Sequence, residues 1–332
     1  MNVRLIASPI FALLLSPFAY GQQVPTGADE GGGHVRVEAN AATAFKQELM
    51  RQIAVQEEAV KKAEAAHATD VELAKRYAVL GVSYGNLAQW PRSEAAAEHA
   101  VSLARHFPEP SEELADYLTQ LGSLHLAMGK MRECEKEELE GLKLREKLGD
   151  RLRIARSWND LGELYLAQKK FEKARDVAQK AVAEVVGNKQ ADVFDRSVAR
   201  SVLSIAMCSL KDCIAAIPLL KEAVGETKES LRPDDFPIGL VDFLLGYAYW
   251  KSGNISEAGP HMQDGTAAMN RQLGWGHPAY LDALKQYAQF LRETRQVEAA
   301  DVIQRRIRQA EAVVDVHSIQ SAQGQFGMNG SR

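Results

Sequence analysis

A Leu-Gly pair recurs along this chain at nearly constant intervals, and that recurrence limits the fold more than any other feature. The first residue of the pair is Leu80, Leu121, Leu161, Leu203, Leu245 and, in the last copy, Tyr287, at spacings of 41, 40, 42, 42 and 42 residues. The next residue is always small: Gly81, Gly122, Gly162, Ser204, Gly246 and Ala288. Three further on stand Tyr84, His125, Tyr165, Met207, Tyr249 and Leu291. Nine beyond that lies a second small column, Ser93, Cys134, Ala174, Ala216, Ala258 and Ala300. A last column holds Ala100, Gly141, Ala181, Ala223, Gly265 and Ile307. A fixed period of this length marks a solenoid, in which each copy is one supersecondary unit.

The residues between these columns are mostly Ala, Leu, Glu, Lys and Gln, all good helix formers, and no stretch alternates as a strand does. Each copy therefore reads as a helix A, a short turn and a helix B, and the chain as an all-α solenoid of antiparallel helix pairs. Antiparallel helices approach closely only where side chains are short. The small residue on helix A then faces the small residue on helix B, and the larger residues pack around that point and into the next copy. One copy cannot bury its apolar face alone, so stacking neighbours complete the core.

These columns resemble the tetratricopeptide repeat. The third copy matches best, with Trp158, Leu161, Gly162, Tyr165, Ala174, Ala178 and Ala181 at the signature spacing. The longer period is similar to the 42-residue variety found in kinesin light chains and many bacterial proteins. "AAIP" (Ala215–Pro218) and "EAGP" (Glu257–Pro260) place proline early in helix B, and "LGWGHP" (Leu273–Pro278) is like that variety's inter-repeat loop. The resemblance covers about residues 70–312. Copies four and six depart from it, with Arg200 in the Trp column, Ser204 in the Gly column and Tyr287-Ala288 for Leu-Gly. It implies a right-handed α-solenoid of about six repeats that holds peptides or other proteins.

The ends read differently. Residues 1–21 carry a positive start, the uncharged run "LIASPIFALLLSPFA" and small Ala19 and Gly21 before Gln22, the layout of a secretory signal peptide. Residues 22–40 are expected to form a flexible leader, 41–69 an N-terminal capping helix, 70–312 the solenoid and 313–332 a disordered tail. The expected location is outside the cytoplasm, in the periplasm or beyond the cell. Net charge is −4, falling to −5 without Arg4 of the signal segment, and no basic stripe points to nucleic acid. No span remains to cross a membrane stably after cleavage.

No constellation of residues points to catalysis, a metal or a cofactor. There is no His-Glu-x-x-His, no Gly-x-Ser-x-Gly and no phosphate loop. His125 lies in the Tyr column, where packing explains it better than metal binding, and His277 belongs to the inter-repeat loop. Of three cysteines, Cys134 fills a small column. Cys208 and Cys213 bracket one A–B turn. A bridge between them is open, while the column shared by Cys213 with Trp90, Met131, Phe171, Ile255 and Val297 favours buried packing.

The tetratricopeptide resemblance places the A helices on the concave face, at positions two before, two after and five after the Leu column. Copies one and two offer plain groups there: Ala78, Val82, Gly85, then Thr119, Ser123, Leu126. Copy three offers Asn159, Glu163 and Leu166, and copy four Ser201, Ile205 and Cys208. Copy five offers Phe243, Tyr247 and Trp250, and copy six Lys285, Gln289 and Arg292. Aromatic anchors beside cations suit a peptide hot spot. The expected groove is Phe243, Tyr247, Trp250, Lys285, Gln289 and Arg292, with Asn159 and Glu163 secondary. The alternative use of the three aromatics is core packing. The family's carboxylate clamp is absent, because Ala78 and Val82 stand where it needs Lys and Asn. The reading is a non-enzymatic scaffold for an unidentified protein or peptide. The alternative is a structural or carrier protein that holds a small apolar ligand, or self-associates, through copy five.

Overall fold

The computed structural model describes residues 34–326 apart from 88, 233, 234, 236, 275 and 276, with side chains from 47 to 311 except that of 278. Thirteen α-helices and no strand make up the described residues. Helix α1 (His34–Ala65) is followed by six hairpins. These are α2 (Asp70–Asn86) with α3 (Trp90–Ala104), α4 (Glu112–Ala127) with α5 (Met131–Leu148), and α6 (Arg151–Ala167) with α7 (Phe171–Val186). The rest are α8 (Val193–Ser209) with α9 (Cys213–Ser230), α10 (Ile238–Lys251) with α11 (Ile255–Leu273), and α12 (Pro278–Glu293) with α13 (Val297–Phe326). Each hairpin is one sequence copy. Each B helix opens on the column that runs Trp90, Met131, Phe171, Cys213, Ile255, Val297. The expected signal peptide and most of the expected leader lie outside the described residues.

Two boundaries differ from expectation. Helix α1 includes residues 34–40 of the expected leader, where "HVRVEAN" contains no Gly or Pro. Helix α13 runs on to Phe326, past the expected end at 312, through a stretch without proline.

The hairpin turn has a rule that the side-chain columns conceal. The eighth residue after the Leu column is left-handed in five copies: Gly129 (φ 76°), Lys169 (60°), Lys211 (69°), Gly253 (85°) and Arg295 (64°). The next backbone N–H donates to the carbonyl of the Tyr column, as in Lys170 to Tyr165 (2.8 Å) and Gln296 to Leu291 (2.8 Å). Such a bond satisfies a carbonyl at the helix end and turns the chain back. Copy four adds a covalent tie. Cys208 and Cys213 form a disulfide across this turn, Cα to Cα 4.2 Å, so both thiols are buried and also bridged.

The facing of small residues holds most directly in copies one and five. Around Gly81 the nearest atoms to an added β-carbon are Ser93 O and Ala97 N, each at 3.3 Å, and the Ser93 hydroxyl donates to the Gly81 carbonyl at 2.7 Å. At Gly162 the space is taken mainly by Val202 of the next copy's A helix, so this glycine serves stacking more than its own hairpin.

One large core runs from the second copy to the sixth, and smaller clusters sit under α1 and the first copy. Its centre is α10, in which every residue from Ile238 to Trp250 is buried. A helix apolar all round is a helix surrounded on all sides. Here α8, α9 and α11 enclose it, and Phe290 of α12 meets Trp250 edge-on at 5.8 Å. In copy four Arg200 replaces the tryptophan of the Trp column. It is buried, and its guanidinium donates to Glu222 and Glu226 of α9 at 3.1 Å each.

Candidate functional site

The A helices of successive copies pack on one another: α2 on α4, α4 on α6, α6 on α8, α8 on α10. This winding closes the inner face. Ser123, Leu126, Leu166, Ser201, Ile205 and Cys208 are buried along it. Val82 and Thr119 in the first two copies are half-buried, and the face is fully exposed in the last copy, where Lys285, Gln289 and Arg292 all reach solvent.

The expected aromatic anchors are core. Phe243, Tyr247 and Trp250 are 0%, 4% and 5% exposed, so their rings are spent on packing and offer a ligand little surface. The reason is the enclosure of α10, which spacing alone could not show. Trp250 is held from both sides. Its indole N–H donates to Glu293 Oε2 at 3.1 Å, and Lys251 Nζ lies 3.1 Å from the ring centroid. Beside Phe243 and Tyr247, with Ser204 and Cys208, lies a cavity of about 20 Å³. That is room for one water.

The copy-six residues are exposed. They form a polar ridge along α12: Lys285 pairs with Glu311 at 2.8 Å, Gln289 donates to Glu293 Oε1 at 2.9 Å, and Arg292 stands 4.0 Å from Asp301. At the end of the ridge an open hollow of about 500 Å³ is lined by Trp250, Ile255, Glu293, Thr294 and Arg295. Ion pairs on exposed side chains are weakly held and exchange readily with a ligand's charges. The structure thus lines up Lys285, Gln289 and Arg292 along α12, with Glu293 linking Gln289 to the Trp250 indole. It adds Glu293 and Arg295, which lay outside the three columns read for ligand contacts.

Asn159 and Glu163 sit apart from this ridge, on α6, each 4% exposed. Asn159 Oδ1 and Glu163 Oε1 have no hydrogen-bond partner. Glu163 shares its surroundings with Asp160 and with Glu138 of α5. Burial, reinforced by the mutual repulsion of these carboxyls, pushes Glu163 and Glu138 well above the ordinary carboxylate range. Burial also lifts Asp160 to about 6, against the pull of Arg145 and Arg156. Glu138 was readable in the sequence: it stands where the other copies have Ala97, Ala178, Leu220, Met262 and Gln304, mostly apolar. Burial likewise raises the nearby Cys134 thiol and removes its reactivity.

His277 caps α12, its Nδ1 accepting the Ala279 N–H at 3.3 Å, and burial lowers it to about 4. His125 is buried in the Tyr column, as its register implies, and lies between Glu137 at 2.7 Å and Glu94 at 2.9 Å. No helix among the described residues is long and apolar enough to cross a membrane.

The tetratricopeptide repeat profile matches residues 113–183, which span the second and third copies. No curated protein sequence matches the chain. Solved structures do. The apo form of RapI aligns with a TM-score of 0.67 at 14% identity, covering 81% of this chain and 94% of that one. A Rap protein complexed with competence and sporulation factor gives 0.56 at 13% identity, covering 87% and 89%. BtubC (BKLC) from P. vanneervenii gives 0.57 at 19% identity, covering 66% and 90%. The chain is a tetratricopeptide-like α-solenoid, similar in fold to kinesin-light-chain-type repeat proteins.

Proposed function

We propose that this tetratricopeptide-repeat solenoid is an exported, non-enzymatic scaffold that holds a peptide or a segment of another protein. The contact surface is the ridge Lys285, Gln289 and Arg292 with the adjoining hollow at Trp250. The observation that carries the reading is the opening of the inner face: its column residues are buried or half-buried through five copies and solvent-exposed in the sixth. A ridge of two cations and an amide beside an acid and an indole edge matches the mixed polarity of a peptide backbone with charged side chains. A fold neighbour in complex with competence and sporulation factor supports a ligand-holding role for such a solenoid. Export is supported by the layout of residues 1–21 and by the Cys208–Cys213 disulfide, a bond that persists in oxidising compartments. A carrier role for a small apolar ligand in copy five is disfavoured, because the cavity there holds only a water.

The test compares mature wild type with a Lys285→Ala/Arg292→Ala double variant, both immobilised against the native envelope extract. Arg51→Ala, at a side chain 79% exposed on α1, serves as the control. The double variant loses the captured partner while the control keeps it. Equal capture by all three sinks the reading. Trp250→Ala is the wrong probe, since it opens the core. Fractionation of the native cells with N-terminal sequencing tests export; a chain that starts at Met1 in the cytoplasm refutes it.

A further inference from the structure

Away from the ridge, three helices of copies one and two converge on His125. Glu94 and Glu98 are one turn apart on α3 and so share a face. His125 comes from α4 and Glu137 from α5. An imidazole nitrogen of His125 and a carboxylate oxygen from each of Glu94 and Glu98 lie within 4.8 Å of one another. The imidazole is fixed at both ends, Nδ1 at 2.7 Å from Glu137 Oε2 and Nε2 at 2.9 Å from Glu94 Oε1. His125 is buried, Glu94 half-buried and Glu98 exposed, so the group is open to solvent on the Glu98 side.

The geometry points to a binding site for one divalent transition-metal ion of the zinc class, with Glu94, Glu98 and His125 as ligands and Glu137 as the positioning residue. A ligating histidine commonly gives its other ring N–H to a carboxylate, which sets the tautomer and aims the free lone pair. Glu137 makes that contact to Nδ1, and Nε2 faces the Glu94 carboxylate. One nitrogen and two carboxylate oxygens leave coordination positions for water, as zinc accepts. The charges around the group are Glu94, Glu98, Glu133 and Glu137, against the Lys130 ammonium, which bonds Glu94, and the Arg105 guanidinium, which acts on Glu137. Acid exceeds base, so a dication is attracted.

Without metal the ring bridges Glu137 and Glu94. On metal binding Nε2 gives its lone pair to the ion in place of its contact with Glu94. Lys130, 39% exposed on a flexible stem, leaves Glu94 for solvent.

The test is calorimetric titration of the tag-free full chain, stripped with EDTA, with zinc chloride and in parallel with magnesium chloride. One equivalent of zinc binds, and magnesium does not compete. Glu98→Gln, at an exposed position, weakens zinc by at least tenfold. Glu137→Gln weakens it by about 10–100-fold, the usual effect of removing a histidine's carboxylate partner. Cobalt gives visible d–d bands that His125→Gln abolishes. Absence of zinc binding, or zinc binding unchanged in Glu98→Gln, overturns the proposal and leaves the group as a charge-paired pin between two repeats.

Discussion

A β-carbon placed on Gly246 would stand 2.6 Å from the backbone nitrogen of Met262, so α10 and α11 meet there backbone against backbone. The same two helices close again at Gly265, where a β-carbon would lie 2.4 Å from Phe243 N. Gly246→Ala must therefore force apart the most enclosed hairpin of the molecule. Overpacking of this kind costs ~1–3 kcal/mol, and more where backbone has to move. Urea unfolding measures it; a loss below about 0.5 kcal/mol shows that the hairpin yields.

Lys169, Lys211 and Arg295 hold a left-handed conformation that Gly129 and Gly253 adopt at the same turn. A side chain there costs roughly 1–2 kcal/mol, partly offset by glycine's greater freedom in the unfolded chain. Lys169→Gly is expected to stabilise by about 0.5–1 kcal/mol. A lower melting temperature in this variant refutes the turn rule.

Glu138 is buried with an unpartnered oxygen and its pKa is raised. The folded chain prefers the protonated acid, whereas the unfolded chain releases that proton near 4.5. Its stabilising contribution is thus complete at low pH and declines as pH rises above that value. Glu138→Gln keeps the shape without the charge, so it is more stable than wild type at pH 7, and the gap closes as pH falls to about 4.5. Equal stability at both pH values refutes the account.

His277 works in the opposite direction. The folded chain holds it neutral down to about 4, while the unfolded chain takes up a proton near 6.5. Stability is lost as pH falls through that window. His277→Asn keeps an acceptor at the N-cap and does not titrate there. Its denaturation midpoint is expected to be flatter than wild type's between pH 6.5 and 4. Parallel curves mean that the cap does not carry this pH dependence.

The period, the order of helices and the small columns were all legible in the sequence. They follow from local rules: helix propensity, and short side chains where two helices touch. The left-handed turn residue was not legible, because its side chain varies between glycine, lysine and arginine while its backbone does not.

The candidate contact face was legible only in part. Register on a helix says which residues share a side. It does not say whether that side meets water or another helix. Asn159, Glu163, Phe243, Tyr247 and Trp250 occupy the same columns as Lys285, Gln289 and Arg292, yet the first five are buried and the last three exposed. The sequence by itself determined a solenoid of six hairpins and the residues that build each one. Tertiary structure alone decided where its inner face closes, because burial depends on how successive A helices wind against each other over more than 40 residues, a distance no local pattern spans.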